Sequence, residues 1–266
     1  MLPPDPASLR ALLASGNARD RAFVDALIRM GLGRSSNAAQ RAELSALHEA
    51  VRAAALSEHA ELRAEIAAAS LSGAALRRLL DDVPRLERDH FLEELLGIAY
   101  PPLEASMAAP ELIGYAPSGY DEIAYALELT GLGPGGRFLD IGSGLGKAVM
   151  LATLLTGATS RGVERDPQLH AMAEGAARSL ALIDAHFDLG DALETSMPEV
   201  DVVFMYLPFT GATLARMLER LLEAGRARPA RAGERFLCTA ALDLPRYPEL
   251  APVGAARSWL QVYSWR

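Results

Sequence analysis

The run FLDIGSGLGKAVMLA, residues 138–152, constrains the fold of this chain more than any other stretch. It opens with apolar residues around Asp140 that predict a buried strand, and it closes with the apolar content of a helix. Three glycines, Gly142, Gly144 and Gly146, alternate between the two. A glycine-rich turn between a strand and a helix lets the backbone approach a ligand closely. We therefore expect an α/β fold with a ligand site at this turn.

Strands and helices alternate through the C-terminal part of the chain. The β-leaning runs are RFLDI, RGVER, AHFDL, VDVVFMYL and ERFLCTA, and helix-like segments lie between them. This alternation predicts a mostly parallel sheet covered by helices on both faces. The closing run WLQVYSW alternates apolar and polar residues and predicts one more strand, antiparallel to its neighbour.

The N-terminal part has a different pattern, because apolar residues there recur at intervals of three and four and predict helices. Breaks are expected at 70–73 and 82–84. We place a helical N-terminal domain or cap at 1–112 and an α/β domain at 113–266. The helical part is interpreted as a substrate-recognition cap, a homodimerisation element or a structural extension, and the residues leave these open.

The composition narrows the partners and the compartment. A net charge of −8 argues against binding DNA or RNA through a cationic surface. No apolar run approaches the roughly 20 residues of a membrane span. The single cysteine, Cys238, is interpreted as a buried hydrophobe in a reducing, cytoplasmic protein. His170 and His186 have no cysteine or carboxylate nearby at metal-ligand spacing, so we expect no metal site.

The residues around the glycines favour some classes of ligand over others. A P-loop needs glycine at position 141 and a hydroxyl at 148, and the chain has Ile141 and Ala148. The glycine pattern is one residue short of a dinucleotide loop, and the carboxylate of Asp140 would repel a pyrophosphate. That carboxylate suits a cationic, hydroxyl-bearing ligand without phosphate, such as S-adenosylmethionine. Lys147, the only lysine in the chain, is interpreted as incidental.

The segment DIGSGLG resembles the first motif, [DE]-x-G-x-G-x-G, of the class I seven-β-strand S-adenosylmethionine-dependent methyltransferases. The resemblance covers about residues 115–266 and implies a Rossmann-like, mostly parallel sheet of seven strands. It also implies that Glu164 accepts the ribose hydroxyls and that Asp191 lies near the adenine, although Asp191 as the acid of an Asx-turn stays open. The implied cofactor-binding residues are Tyr115, Ser118, Asp140, Gly142, Ser143, Gly144, Gly146, Glu164, Asp191, Ala192 and Tyr206.

Two further segments resemble the non-SET protein-lysine methyltransferases. YAPSGYDEI precedes the first strand, and YLPF follows the fourth. By that resemblance Tyr115 and Ser118 fold over the cofactor, while Tyr120, Tyr206 and Phe209 shape the acceptor channel and are the catalytic candidates. For Tyr206 and Phe209, a place in the core is an equal alternative. The Asn-Pro-Pro-[FY] signature of base-amine methylation and the basic tail of the histone-methylating group are both absent.

The resemblance implies methyl transfer from S-adenosylmethionine to a protein lysine amine by in-line displacement. Two alternatives stay open: a small-molecule N-, O- or C-methyltransferase, and a non-catalytic binding module with this fold. The expected partner is a protein or small-molecule methyl acceptor, with no nucleic acid and no membrane. No acid or histidine stands out in the sequence as a general base.

Overall fold

The computed structural model describes residues 6–13, 18–34, 37–101, 117–196, 199–206, 208–226 and 235–265. Ten helices and seven strands lie in these ranges. The helices before the sheet are α1 (Pro6–Leu13), α2 (Ala18–Arg34), α3 (Ala38–Glu58), α4 (Ala60–Ala67), α5 (Gly73–Asp82), α6 (Arg85–Leu96) and α7 (Tyr120–Thr130). Those within the sheet region are α8 (Lys147–Thr156), α9 (Pro167–Ser179) and α10 (Gly211–Arg226).

The strands form one sheet in the order β3-β2-β1-β4-β5-β7-β6. They are β1 (Arg137–Ile141), β2 (Thr159–Glu164), β3 (Ala185–Leu189), β4 (Val202–Phe204), β5 (Arg235–Thr239), β6 (Leu250–Arg257) and β7 (Leu260–Trp265). The first five strands pair in parallel, and β7 runs antiparallel to both β5 and β6. The predicted Rossmann-like, mostly parallel sheet of seven strands with an antiparallel final strand is confirmed.

The sheet separates two apolar clusters. Because successive side chains of a strand point to opposite faces, Phe138 of β1 packs into one cluster and Leu139 into the other. The cluster around Phe138 also holds side chains from α4 to α9, whereas the cluster around Leu139 is covered mainly by α10. Both faces of the sheet are therefore buried, as parallel sheets require.

The N-terminal helices divide into two groups. Helices α1, α2 and α3 enclose a small apolar cluster of their own, with Val24, Ile28 and Leu44 fully buried. Helices α4, α5 and α6 instead contribute leucines to the cluster that lines the sheet, among them Leu76 and Leu92. The apolar cluster that lines the sheet therefore includes residues on both sides of position 112, and the predicted boundary there stays a prediction.

None of the described helices combines the length and the hydropathy that crossing a membrane requires.

Candidate functional site

The glycine turn follows β1 at the carboxyl edge of the sheet. Gly142, Gly144 and Gly146 all have left-handed backbone, with φ of 78°, 53° and 78°, a region in which side chains beyond glycine are strained. A Cβ on Gly142 would lie 2.6 Å from Pro208 Cβ, and one on Gly146 would lie 2.7 Å from the ring of Phe187. Both the backbone angles and the space thus require glycine here.

Asp140 lies at the end of β1 directly before this turn. Its side chain is buried, with 5% of the residue exposed. Burial, with a smaller contribution from the negative charge of Glu164, raises the pKa of Asp140 to about 8. A buried carboxylate beside a second carboxylate favours a cation, because a positive ligand restores the ionised form.

Glu164 ends β2, the neighbouring strand, and its carboxylate holds the glycine turn. One oxygen, Oε2, accepts the backbone N–H of Gly144 at 2.8 Å, and Oε1 accepts the N–H of Asp166 at 2.8 Å. A carboxylate oxygen has a second lone pair, so both oxygens can still accept a hydroxyl. Its predicted role toward the ribose hydroxyls is compatible with this placement and stays a prediction.

Asp191 and Ala192 follow β3 on the same edge. The backbone N–H of Gly190 donates to the carbonyl of Glu164 at 2.9 Å, which places this turn beside the ribose candidate. Asp191 is exposed, and its Oδ1 accepts the N–H of Leu193 at 2.8 Å. The structure thus shows the Asx-turn that the sequence left as an alternative, while the adenine role of Asp191 stays a prediction.

The turn has the features that a polar ligand would need. Ser143 is buried, and among the described residues its Oγ has no hydrogen-bond partner. Together with buried Asp140 and the close backbone of the glycines, this fits S-adenosylmethionine, whose sulfonium and ammonium are cationic. The described part of the chain contains no group of three or more His, Cys, Asp or Glu side chains that could hold a metal ion.

The two aromatics after β4 lie on opposite faces of the sheet. Tyr206 is partly buried and stacks on Phe204, with ring centroids 6.4 Å apart, on the α7 side. Burial, followed by the charges of Glu122 and Asp89, raises the pKa of Tyr206. Phe209 is buried in the opposite cluster. This placement agrees with the core alternative for Phe209, and its role as a wall of the acceptor channel stays a prediction.

The segment ahead of α7 is only partly described. Tyr115 lies outside the described residues, and Ser118 is buried. Tyr120 is 2% exposed, and its hydroxyl donates to Asp81 at 3.1 Å within the core between α5 and α7. Its ring and hydroxyl are thus engaged in the core, and the role of Tyr120 in the acceptor channel stays a prediction.

Four charged side chains that were not predicted as site residues form a group near the turn. Lys147, interpreted above as incidental, is 5% exposed and pairs with Glu93 at 2.6 Å and Asp89 at 3.2 Å. The fourth, Glu122 of α7, converges with Asp89 on Gly119. Glu93 could have indicated this group from the sequence. It lies between Leu92 and the leucines that follow on the buried face of α6, and a buried carboxylate needs a cation as its partner.

The family model of protein-L-isoaspartate(D-aspartate) O-methyltransferases matches residues 72–199, from the start of α5 to beyond β3. The chain matches no curated protein.

Among solved structures, the chain is similar to an RNA methyltransferase from Salinibacter ruber in complex with S-adenosylhomocysteine. That pair has 25% identity and a TM-score of 0.47, over 56% of this chain and 92% of that one. It is also similar to a precorrin-6y C5,15-methyltransferase from Geobacter metallireducens, with 18% identity and a TM-score of 0.41, over 61% and 94% of the two chains.

The family match agrees with the sheet and the turn described above. The prediction of an S-adenosylmethionine-dependent methyltransferase, with S-adenosylmethionine as its cofactor, is confirmed. The match begins at α5, which is also where the leucines of the sheet-lining core begin to accumulate.

Proposed function

We propose that this S-adenosylmethionine-dependent methyltransferase transfers a methyl group to the side-chain amine of a lysine in another protein. The observation that carries the proposal is a pair of carboxylates at Gly119, next to the start of α7. A methyl group added to Gly119 would collide with Glu122 Oε2 and would lie 3.2 Å from Asp89 Oδ2. Both carboxylates also act on the pKa of Tyr206.

Charge supports an amine over a carboxylate acceptor. The family whose model matches is named for methylating isoaspartate, an anion. Two carboxylates converging on one point would repel an anion and attract a lysine ammonium. The net charge of −8 adds long-range attraction for a basic protein segment.

The same carboxylates suit the transfer step. The cofactor supplies a methyl group already activated by its sulfonium. As the nitrogen–carbon bond forms and the carbon–sulfur bond breaks, positive charge moves from sulfur to nitrogen, and Asp89 and Glu122 stabilise it there. Before that, the lysine ammonium must lose a proton, and these carboxylates can accept it and pass it to water. The partly buried ring of Tyr206 disfavours the charged amine and so promotes this loss.

A small-molecule acceptor is the second candidate, and one observation favours it. A cavity of about 350 Å³ lies between α2, α3 and α6, and its wall reaches Gly119 and Lys147. That volume is at the lower end of small-molecule sites.

Transfer of a labelled methyl group separates the two candidates. The chain is incubated with methyl-labelled S-adenosylmethionine and a cell lysate, and in parallel with the same lysate after acetylation of its lysines, which removes the nucleophilic amine. We expect label in one or more protein bands of the untreated lysate and none in the treated one. Label confined to extractable small molecules would support the second candidate, and label that survives lysine blocking would contradict a lysine acceptor.

Calorimetry with S-adenosylhomocysteine tests the shared premise. The wild type is expected to bind, and Glu164→Gln to bind at least about tenfold more weakly, because one charged acceptor for the ribose is lost. Glu174→Gln, on the adjacent helix α9, is the matched control and should bind as the wild type does.

A further inference from the structure

Lys147 connects the glycine turn to helix α6 through two hydrogen bonds of its ammonium. Its ammonium donates to Glu93 Oε1 at 2.6 Å and to Asp89 Oδ1 at 3.2 Å. The hydroxyl of Tyr100 donates to the same Glu93 oxygen at 2.6 Å, and the backbone N–H of Tyr120 donates to the same Asp89 oxygen at 2.8 Å. Each carboxylate is thus held through one oxygen, on the side that faces the protein interior.

Exposure of the side chains increases from the lysine outward. The side chains of Lys147 and Glu93 are 5% and 9% exposed, whereas that of Asp89 is 45% exposed. Asp89 Oδ1 points inward to Lys147, and Oδ2 lies on the side of Gly119, where Glu122 also converges. Asp89 therefore stands between a buried cation and the place assigned above to the acceptor amine.

The cluster around Lys147 contains more negative than positive charges. One ammonium faces two carboxylates, so the cluster retains negative charge that a further cation can neutralise. Without the ammonium, Asp89 and Glu93 would repel each other, and among the described residues the hydrogen bond that would still orient Asp89 is that from the N–H of Tyr120. The orientation of Asp89 Oδ2 therefore depends on Lys147.

We propose that Lys147 is a positioning residue for methyl transfer, which fixes Asp89 through Oδ1 so that Oδ2 faces the amine acceptor. The inference rests on the proposed function, because it assumes that the acceptor nitrogen lies near Gly119. Lys147 itself touches neither the acceptor nor the transferred methyl group in this proposal.

Two cofactor analogues test the inference without a known acceptor. S-Adenosylhomocysteine lacks the methyl group, and in sinefungin an amine-bearing carbon replaces the sulfonium, so that its amine projects toward the acceptor. An oriented Asp89 should favour sinefungin, and calorimetry gives the ratio of the two affinities for each variant. A purely structural ion pair would change stability without changing this ratio.

Four variants are compared with the wild type. Asp89→Asn should lower the sinefungin preference about tenfold, the effect of losing one charge pair of ordinary strength. Lys147→Met should also lower the preference, because Asp89 Oδ2 is no longer held toward the amine. Lys147→Arg should keep the preference within about twofold, because the guanidinium retains the charge and the adjoining cavity of about 350 Å³ gives it room. Arg21→Met is the matched control, since it also removes a buried cation paired with glutamates, on α3 and α6, and it should leave the preference unchanged.

Three results would overturn the inference: an unchanged preference in Lys147→Met, a loss in Lys147→Arg equal to that in Lys147→Met, or an equal loss in Arg21→Met. If Lys147→Met does not fold, an unchanged preference in Asp89→Asn, whose side chain is half exposed, is sufficient to overturn it. Failure of the wild type to bind either analogue is a different result, because it contradicts the proposed function itself.

Discussion

Asp140 illustrates how one buried side chain can serve a cofactor at the expense of stability. Its position near the end of β1 follows from the motif, and its side chain is buried, with 5% of the residue exposed. The folded protein, without a cationic ligand, holds a proton on this group that the unfolded chain releases near pH 4.

The first prediction concerns the stability of the cofactor-free protein against pH. Because the folded pKa of Asp140, about 8, lies above the ordinary value of 3.8, the stabilising contribution is complete below pH 4 and is lost as the pH rises toward 8. The loss has a limiting slope of about 1.4 kcal/mol per pH unit. Asp140→Asn should remove this slope, as measured by urea unfolding between pH 5 and 8. Parallel curves for the two proteins would contradict the burial argument.

Tyr120 gives a second residue-scale prediction, which separates a core role from a catalytic one. Burial and the nearby Asp81 raise the pKa of Tyr120 to about 12, so the hydroxyl remains a donor at neutral pH. Tyr120→Phe should lower the free energy of unfolding by about 1 kcal/mol and leave methyl transfer unchanged. Tyr206→Phe is the comparison and should lower transfer. A loss of transfer in Tyr120→Phe, with S-adenosylhomocysteine binding intact, would support the channel role.

At this scale the sequence predicted residues whose roles depend on local spacing. Asp140, the glycines and Glu164 were located because each follows a strand at a fixed offset, and the carboxyl ends of parallel strands meet at one edge. Asp89, Glu122 and Lys147 were not, because their proximity depends on how α6 and α7 pack, and no short motif encodes that packing.

Among the elements, α9 shows how a cap can support a ligand site. Asp166 caps this helix, since its side chain accepts the backbone N–H groups of Gln168 and Leu169, and Pro167 occupies the first turn. The backbone N–H of Asp166 donates in turn to Glu164 Oε1 at 2.8 Å. The cap and the ribose candidate are therefore adjacent but use different atoms of Asp166.

The third prediction follows from that separation. Asp166→Ala should destabilise the protein by about 1 kcal/mol through loss of the cap, and S-adenosylhomocysteine affinity should change less than threefold because the backbone N–H remains. Asn37→Ala removes the corresponding cap of α3 and serves as the control for a cap remote from the site. A tenfold loss of affinity in Asp166→Ala alone would mean that its side chain binds the ligand.

The sequence pattern predicted some strands accurately and failed to predict others. The runs RFLDI and AHFDL became β1 and β3 with the same bounds, because both are compact β-leaning runs between helices. Strand β6 was missed: it lies at the edge of the sheet, contains a proline and a glycine, and is mostly exposed, so it lacks the apolar alternation that marks a strand.

For the whole molecule, the continuity of the core decides which part can fold alone. Cluster contacts place α4–α6 with the sheet, while α1–α3 surround a separate apolar cluster. Hydrophobic periodicity locates helices but says nothing about which neighbour covers their apolar face. The boundary at 112 was predicted from the change of composition and stays a prediction.

The fourth prediction uses two truncations. A chain of residues 60–266 should fold and bind S-adenosylhomocysteine, because Glu94 becomes solvated when α1–α3 are removed. Its unfolding midpoint should be lower than that of the full chain, because Glu94 loses its ion pair with Arg21. A chain of residues 117–266 should fail to fold, because it leaves the apolar surface under α5 and α6 uncovered. Circular dichroism and calorimetry measure both, and a folded 117–266 would support the boundary at 112.

The burial of Lys147 has a practical consequence for any assay of lysine methylation. It is the only lysine in the chain, and both of its partners hold it inside the protein. Amine-directed dyes and crosslinkers therefore find no lysine on the folded surface. An enzyme of this composition presents no accessible lysine for a second copy to modify, so label in its own band reports contamination or unfolding, and the acceptor is seen against an unlabelled background.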